Sequence, residues 1–367
     1  MKLVMDLVGF QRGKSYGFEE YISNLLIFFS EHINDIKVDQ MVIVCHPSQQ
    51  QYFESLTKGR IIVLTVNFTG LIERLLVSRH LPKMLELTHD DIILYSGNTM
   101  PLKNNYCKKI LVIHDLLFLH GEICAKTFSF LLFRLHKYIY IPRSIKLADK
   151  IISISEFTKE EIIEHYKIEP RKIEPIYNYF NFCKYDDNSP RTIKDIAEPY
   201  VLSVCSDALH KNHSILLKGF EFFAKNNNYH LVLVGAINPI AQSVYDSLLD
   251  SVKSRIVIVK HISNSDFKYL YSNASVYVST SLYEGLGMPV VEAMYFGLPT
   301  VLSDVVIHRE ISLGKGLYFK ASDYFDCASA IKKALEMKTN IECKSRIENL
   351  YSPSNTSNKY ISLINTL

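Results

Sequence analysis

The chain has 367 residues, of which 48% are apolar and 22% charged, enough to bury real cores and too apolar for a disordered chain. That length predicts two domains of Rossmann size rather than one ordinary core. A net charge of +3 is too small to argue for nucleic acid, and no window approaches 18 uninterrupted apolar residues, so no bilayer span is expected.

From the start of the chain, Leu3–Val8, Gln40–Cys45, Arg60–Val66, Asp91–Tyr95, Lys109–Ile113 and Lys150–Ile154 read as buried strands. Helical spacing separates them at Glu19–Ile33, Gly70–Leu81, Thr127–Leu147 and Lys159–Tyr166. Either Ser155 or Thr158 can cap the last of these, with acids in its first turn. Strands separated by helices predict a parallel, doubly wound α/β sheet. Residues 179–198 lose the periodicity and gather turn formers, so a linker is expected there, after a first domain at 1–178. A second set follows in 199–351, with strands at Tyr200–Val204, His230–Val234, Arg255–Val259, Val276–Ser279 and Thr300–Leu302. Its helices are expected at Ile215–Ala224, Pro239–Val252, Asp266–Tyr271, Val290–Phe296 and Cys327–Met337, and one last helix at 352–367. Two Rossmann-like domains with a ligand in the cleft follow from the rule that open α/β sheets bind at their carboxyl ends.

The cysteines (45, 107, 124, 183, 205, 327 and 343) form no C-x-x-C pair and no metal-ligand spacing, which reads as reduced thiols in cytosol. The N-terminal apolar run is too short for a signal segment. Residues 101–150 hold nine basic side chains (Lys103, Lys108, Lys109, Lys126, Arg134, Lys137, Arg143, Lys146, Lys150) against Asp115, Glu122 and Asp149.

The most specific stretch is Ser281-Leu-Tyr-Glu-Gly-Leu-Gly-Met-Pro-Val-Val-Glu-Ala-Met-Tyr-Phe-Gly-Leu-Pro299. Glu284 and Glu292 flank a turn bearing Gly285, Gly287 and Pro289 that can open a helix. Unpaired amides at a helix start favour an anion, and carboxylates beside them accept hydroxyl donors. Together they suit a nucleotide sugar: a polyol, a ribose, and a diphosphate between.

This stretch resembles the retaining glycosyltransferases of family 4, which have the two-lobed GT-B fold, and in particular bacterial mannosyltransferase-like enzymes of surface polysaccharide (O-antigen, capsule) synthesis. Four further segments follow the family in order: Asp91–Pro101 with its Gly-Asn-Thr, Ile113-His-Asp-Leu, Ile151–Asn178, and Tyr200–Asn212 ending in His-Lys-Asn. The resemblance implies that Glu292 binds the donor ribose and Glu284 faces the transferred sugar, while the amides of Gly285, Leu286, Gly287 and Met288 hold sugar and phosphate oxygens. It implies that Lys211 offsets charge on the leaving diphosphate. It places His114 near the reacting sugar, with Asp115 orienting its loop. Gly17 matches a glycine whose backbone approaches the phosphate, where a side chain would clash. The departures are His210 where the family carries Arg, Cys205 where it carries Gly, a negative Asp207 nearby, and Tyr16-Gly17 in place of two glycines.

Blander readings stand beside these: a solvated Lys211, a buried structural His114, a structural Asp115, and an ordinary helix-start glycine at Gly17. The stretch Lys126–Lys146 mixes aromatics, leucines and basic residues, and reads either as a face lying on an anionic membrane or as a core helix with a solvated basic edge.

The function so implied is transfer of a sugar, first mannose from GDP-mannose, to a hydroxyl of a growing, lipid-linked bacterial glycan, with anomeric retention. The alternatives are a UDP-sugar-dependent transferase of the same family, or a non-catalytic nucleotide-sugar-binding protein. A phosphorylase or epimerase of the same fold is the nearest enzyme rival, and a dinucleotide oxidoreductase is disfavoured because no G-x-G-x-x-G follows the first strand. No Asp-x-Asp stands at a strand end, so no metal and no cofactor are expected. Glu284→Ala is expected to lose transfer while keeping the fold. The expected place is cytoplasmic, with peripheral contact at the inner membrane.

Overall fold

In runs such as Leu3-Val-Met5, Ile92-Ile-Leu94 and Ile110–Ile113 every side chain is fully buried, as parallel strands covered by helices on both faces require. A computed structural model describes residues 1–13, 16–101, 106–125, 127–186, 189–260, 262–337 and 341–367. Lys14, Lys103 and Lys126, and residues 187–188 of the expected linker, lie outside the described residues. The chain forms two compact units: Met1–Phe118, Thr127–Phe180 and Tyr351–Leu367 make the first, and Leu119–Lys126 with Asn181–Leu350 the second.

The first unit runs β1 (Lys2–Asp6), α1 (Tyr16–Glu31), β2 (Gln40–Cys45), α2 (Gln50–Thr57), β3 (Ile62–Thr65), α3 (Leu71–Met84), β4 (Ile92–Tyr95), β5 (Lys108–Ile113), α4 (Phe128–Leu147), β6 (Lys150–Ser153), α5 (Glu156–Tyr166) and β7 (Ile173–Pro175). Its seven strands are parallel in the order β3-β2-β1-β4-β5-β6-β7, with Leu3 of β1 opposite both Met41 and Ile92. The strand order reverses between β1 and β4, the place where such sheets receive ligands at their carboxyl ends.

In the second unit come β8 (Tyr200–Cys205), α6 (His213–Ala224), β9 (His230–Gly235), α7 (Pro239–Ser247), α8 (Asp250–Lys253), β10 (Ile256–Val259), α9 (Asn264–Asn273), β11 (Val276–Ser279), α10 (Met288–Tyr295), β12 (Thr300–Ser303), α11 (Val306–Ile311), β13 (Leu317–Phe319), α12 (Tyr324–Leu335) and α13 (Ile341–Leu350). The six parallel strands are ordered β10-β9-β8-β11-β12-β13, so the reversal falls between β8 and β11. The final helix α14 (Pro353–Thr366) belongs to the first unit, where the Tyr360 and Tyr21 hydroxyls meet at 2.7 Å and Lys359 Nζ donates to the Pro175 carbonyl at 3.0 Å.

The sequence reading and the structure differ in a few places with clear causes. β7 and β13 are three residues long, too short to show a period. The helix expected over Pro239–Val252 is broken into α7 and α8, because Leu248 and Leu249 are extended and Leu248 turns into the core. Ser155, not Thr158, caps α5, its Oγ accepting from the Thr158 amide at 3.1 Å. Residues 181–198, read as linker, group with the second unit, and Thr192 N donates to Asp266 Oδ1 at 2.8 Å.

Candidate active site

In the second unit the buried strand β11 delivers the chain into residues 280–287 and then α10. Gly287 stands at φ +89°, a left-handed turn that a side chain rarely adopts, and a Cβ there would meet Ile311 Cδ1 at 3.1 Å. Pro289 follows in the first turn of α10, where a missing N–H costs nothing. The amides of Leu286, Gly287 and Met288 donate to no backbone or side-chain acceptor among the described residues. They are the open end of the helix.

Glu284 leaves this loop to accept from Lys211 Nζ at 2.5 Å and from Ser281 Oγ at 2.7 Å, all through Oε1. Both members of the ion pair are only 15% exposed. Burial alone would raise the Glu284 pKa, but the Lys211 charge, then His210, and the two hydrogen bonds outweigh it and lower it to about 2. Lys211 ends a short turn, Leu209–Lys211, that the loop after β11 grips: Leu282 N donates to the His210 carbonyl at 2.7 Å and Thr280 Oγ1 to the Lys211 carbonyl at 2.8 Å. Lys211 and Glu284 are therefore brought together by backbone, not by side-chain chance.

Glu292, on the inner face of α10, keeps a separate set of partners. Lys184 Nζ donates to its Oε1 at 2.7 Å and the Tyr271 hydroxyl to its Oε2 at 2.8 Å, and neither Glu292 nor Lys184 is more than 14% exposed. A carboxylate has about four lone-pair sites, so two remain for further donors.

The departures at Cys205 and Asp207 now have a setting. His213 Nδ1 accepts from Asn238 Nδ2 at 3.2 Å, so the ring proton sits on Nε2 and points to Cys205 Sγ at 3.0 Å. Burial lowers the His213 pKa to about 4 and raises the Cys205 thiol to about 11, so at neutral pH this is a neutral imidazole beside an uncharged thiol. Asp207 is exposed.

In the first unit, His114 follows β5. Its Nε2 donates to the Ser96 carbonyl at 2.7 Å, which places the proton there and leaves Nδ1 as the acceptor. Phe18 and Tyr21 present their rings edge-on at 5.3 and 4.7 Å. Burial, more than any other influence, lowers its pKa, so the imidazole is neutral at pH 7. Its backbone N–H donates to Asn98 Oδ1 at 2.6 Å, with Asn98 itself left-handed at φ +61°. Asp115 Oδ1 accepts from Leu117 N at 3.0 Å and so holds the loop. Gly17 lies exposed in the first turn of α1, and a Cβ there would meet open space, so no protein neighbour calls for glycine.

The family models settle the class. One for "Glycosyltransferase Family 4" matches residues 29–181, and one for "Glycosyl transferases group 1" matches residues 185–352, together most of the chain. The chain is a family 4 glycosyltransferase. It is similar to the O-antigen chain mannosyltransferase RfbU of Salmonella typhimurium, 25% identical over 80% of this chain and 81% of that one. It is also similar to the O-antigen chain mannosyltransferase B of Escherichia coli, 26% identical over 53% of this chain and 54% of that one. Among solved structures, TarM (TM-score 0.72, 14% identity) covers 99% of this chain and 98% of its own, and the galactosyltransferase WaaB (0.68, 18%) covers 100% of both; these show the fold, GT-B.

For this glycosyltransferase the sequence motifs singled out Lys211, Glu284, Glu292 and His114 but not the residues that hold their side chains. Lys184 and Tyr271 lie in stretches without motif spacing. Gly235 was also missed: at φ +122° its Cβ would sit 1.9 Å from the Cys205 carbonyl, so β8 and β9 can close together only with glycine there. Behind Glu284, buried His308 donates from Nδ1 to the Ser303 carbonyl at 2.9 Å, and Ser303 Oγ donates to the Ser281 carbonyl, bracing the residue that bonds Glu284.

Proposed function

We propose that the protein transfers a hexose from a nucleotide diphosphate sugar, first GDP-mannose, to a hydroxyl of a lipid-linked glycan of the bacterial surface, with anomeric retention and without a metal. The observation that carries this reading is the buried Lys211–Glu284 pair beside the open amides of Leu286, Gly287 and Met288. A fixed cation next to free N–H groups is suited to the charge that builds on a departing diphosphate, and preorganised donors in a poorly hydrated site are worth most there. Glu284 then accepts from hydroxyls of the transferred sugar, and Glu292 from the ribose through the lone pairs that Lys184 and Tyr271 leave. Gly17 leaves room at the start of α1 for the phosphate end of the donor. In the step itself the acceptor oxygen bonds to the anomeric carbon on the face that the leaving group vacates. The glycosidic C–O bond to the diphosphate breaks, and the acceptor proton passes to the departing phosphate oxygen. Neutral His114, with Nδ1 as acceptor, supports a role in taking a hydrogen bond from a sugar hydroxyl.

The mannose assignment is supported by the O-antigen mannosyltransferases among the relatives. A UDP-sugar is the second reading, favoured by a solved neighbour of this fold, Anabaena HepE, described in complex with UDP and glucose. The cellular place we propose is the cytoplasm, with the acceptor met at the inner face of the membrane. A thermal-shift screen with GDP, UDP, dTDP and their sugar conjugates separates the readings, because a ligand that binds the folded state raises the midpoint. A shift with guanine nucleotides followed by an α-linked product from an α-donor supports the proposal. Turnover with an inverted product removes the retaining mechanism, and no shift with any nucleotide removes the transferase reading in favour of a binder of other ligands.

A further inference from the structure

Among the described residues, eighteen large apolar side chains are exposed, and seven of them fall on one helix, α4: Phe128, Leu131, Leu132, Phe133, Leu135, Tyr138 and Ile139. Phe128 is 75% exposed and the two least exposed of the others still show 39% and 43%. Positions 128, 131, 132, 135, 138 and 139 recur at helical spacing, so they form one stripe rather than a scatter. The opposite face is the one that packs on the sheet: Ile141, Ser144 and Ile145 are buried, and Ser144 Oγ accepts from the Met100 amide at 3.0 Å. The stripe is thus a second apolar face on a helix that already has a core face.

Its charges are all of one sign. From Thr127 to Ala148 the sequence holds Arg134, Lys137, Arg143 and Lys146 and no Asp or Glu. Arg143 and Lys146 are exposed and continue the stripe towards the helix end, and Arg134 is held beside it by the Phe118 carbonyl at 2.6 Å and the Tyr138 ring. With these charges α4 is no membrane span, and no described helix is long and apolar enough to be one.

We propose that the exposed face of α4 is a docking surface for an anionic lipid bilayer, on which the helix lies in the interface with Phe128, Leu131, Leu132, Leu135 and Ile139 among the acyl chains and Arg143 and Lys146 at the headgroups. Charge complementarity selects this occupant. A second copy packed on this stripe would cover Arg143 and Lys146 with no acid on the helix to pair them, whereas anionic headgroups pair both. The proposal deepens the reading of a lipid-linked acceptor, since a transferase lying on the membrane meets such an acceptor in two dimensions, but it is tested without any donor or acceptor.

The experiment is co-sedimentation of the full-length protein with vesicles of phosphatidylcholine alone or mixed with phosphatidylglycerol, at low and high salt. The protein is expected to bind the mixed vesicles, more weakly at high salt, and the pure phosphatidylcholine vesicles less. Leu131→Glu with Leu135→Glu, both at exposed positions, is expected to lower binding by about tenfold or more with an unchanged melting midpoint. Arg143→Glu with Lys146→Glu is expected to remove the preference for phosphatidylglycerol. Absence of binding to the mixed vesicles overturns the proposal, as does equal binding by the double leucine variant. A dimer in sedimentation velocity that the leucine variant dissociates, without vesicle binding, assigns the face to a second copy instead. Vesicle binding by a protein that transfers no sugar leaves the surface standing and removes only the transferase reading.

Discussion

His114 in the first unit and Lys211 in the second both follow the carboxyl end of a central strand, yet they sit in opposite electrostatic settings. His114 is neutral, walled by Phe18 and Tyr21, and tied to a backbone carbonyl. Lys211, like Lys184, is a largely buried lysine matched to its own glutamate. The first setting suits a neutral hydroxyl-bearing group; the second holds charge ready where a diphosphate would need it. The proposed function assigns the two settings different tasks: the first unit's His114 to a sugar hydroxyl, the second unit's Lys211 to the nucleotide and its leaving charge.

The largest effect is expected at Lys184. Lys184→Met strands Glu292 as a buried charge with only Tyr271 beside it, and losing one partner of such a pair costs about 3–5 kcal/mol. Lys184→Arg keeps the pair and should restore most of the melting midpoint. Equal midpoints for Lys184→Met and the parent would mean that the pair does not anchor the second unit. Next comes Glu284→Gln, which keeps shape but not charge; transfer is expected to fall by about 10²–10³, the range seen when one charge-stabilising group is removed. Glu284→Ala, expected from sequence to spare the fold, is now a poor test, because Lys211 and Ser281 both depend on that carboxylate.

His114→Gln sharpens the comparison from the other side. Transfer should drop about tenfold with nucleotide affinity unchanged, since the proposed role of His114 is to meet a sugar hydroxyl and not the nucleotide. Because burial lowers the His114 pKa below its usual 6.5, the imidazole is neutral at and above that pH and charges only as the pH falls beneath it. The parent rate should therefore show no His114 midpoint between about pH 6.5 and 8. A pH profile that rises with a midpoint inside that window in the parent, and vanishes in the variant, would contradict a neutral His114. The smallest effect is expected at Cys205→Ala. Its thiol is uncharged and serves His213, so donor affinity should stay within about twofold, and a tenfold loss would place the sulfur in the phosphate site.

How much of this was legible in the sequence follows from the range of each interaction. Most strands of both sheets were readable because continuous apolar runs such as Leu231–Val234 need only their own residues to announce burial, while the three-residue β7 and β13 were not. Glu284, Gly287 and Glu292 were readable because they share one loop and one helix. Lys184 was not, since it meets Glu292 across 108 residues of chain, and nothing in its neighbourhood differs from a solvated linker lysine. His308 was hidden for the same reason: its partners Ser279 and Ser303 lie on two adjacent strands. The stripe on α4 was visible only as an unresolved mixture of aromatics and bases, because sequence spacing cannot tell a core face from an exposed one.

The division of labour is tested most directly by calorimetric titration of GDP and UDP into the parent, Lys211→Met and His114→Gln proteins, beside transfer rates on the same samples. The account predicts that Lys211→Met loses nucleotide affinity by tenfold or more, whereas His114→Gln binds as the parent does and loses only transfer. Parent-like binding by Lys211→Met, or a matching loss of affinity in His114→Gln, would contradict it.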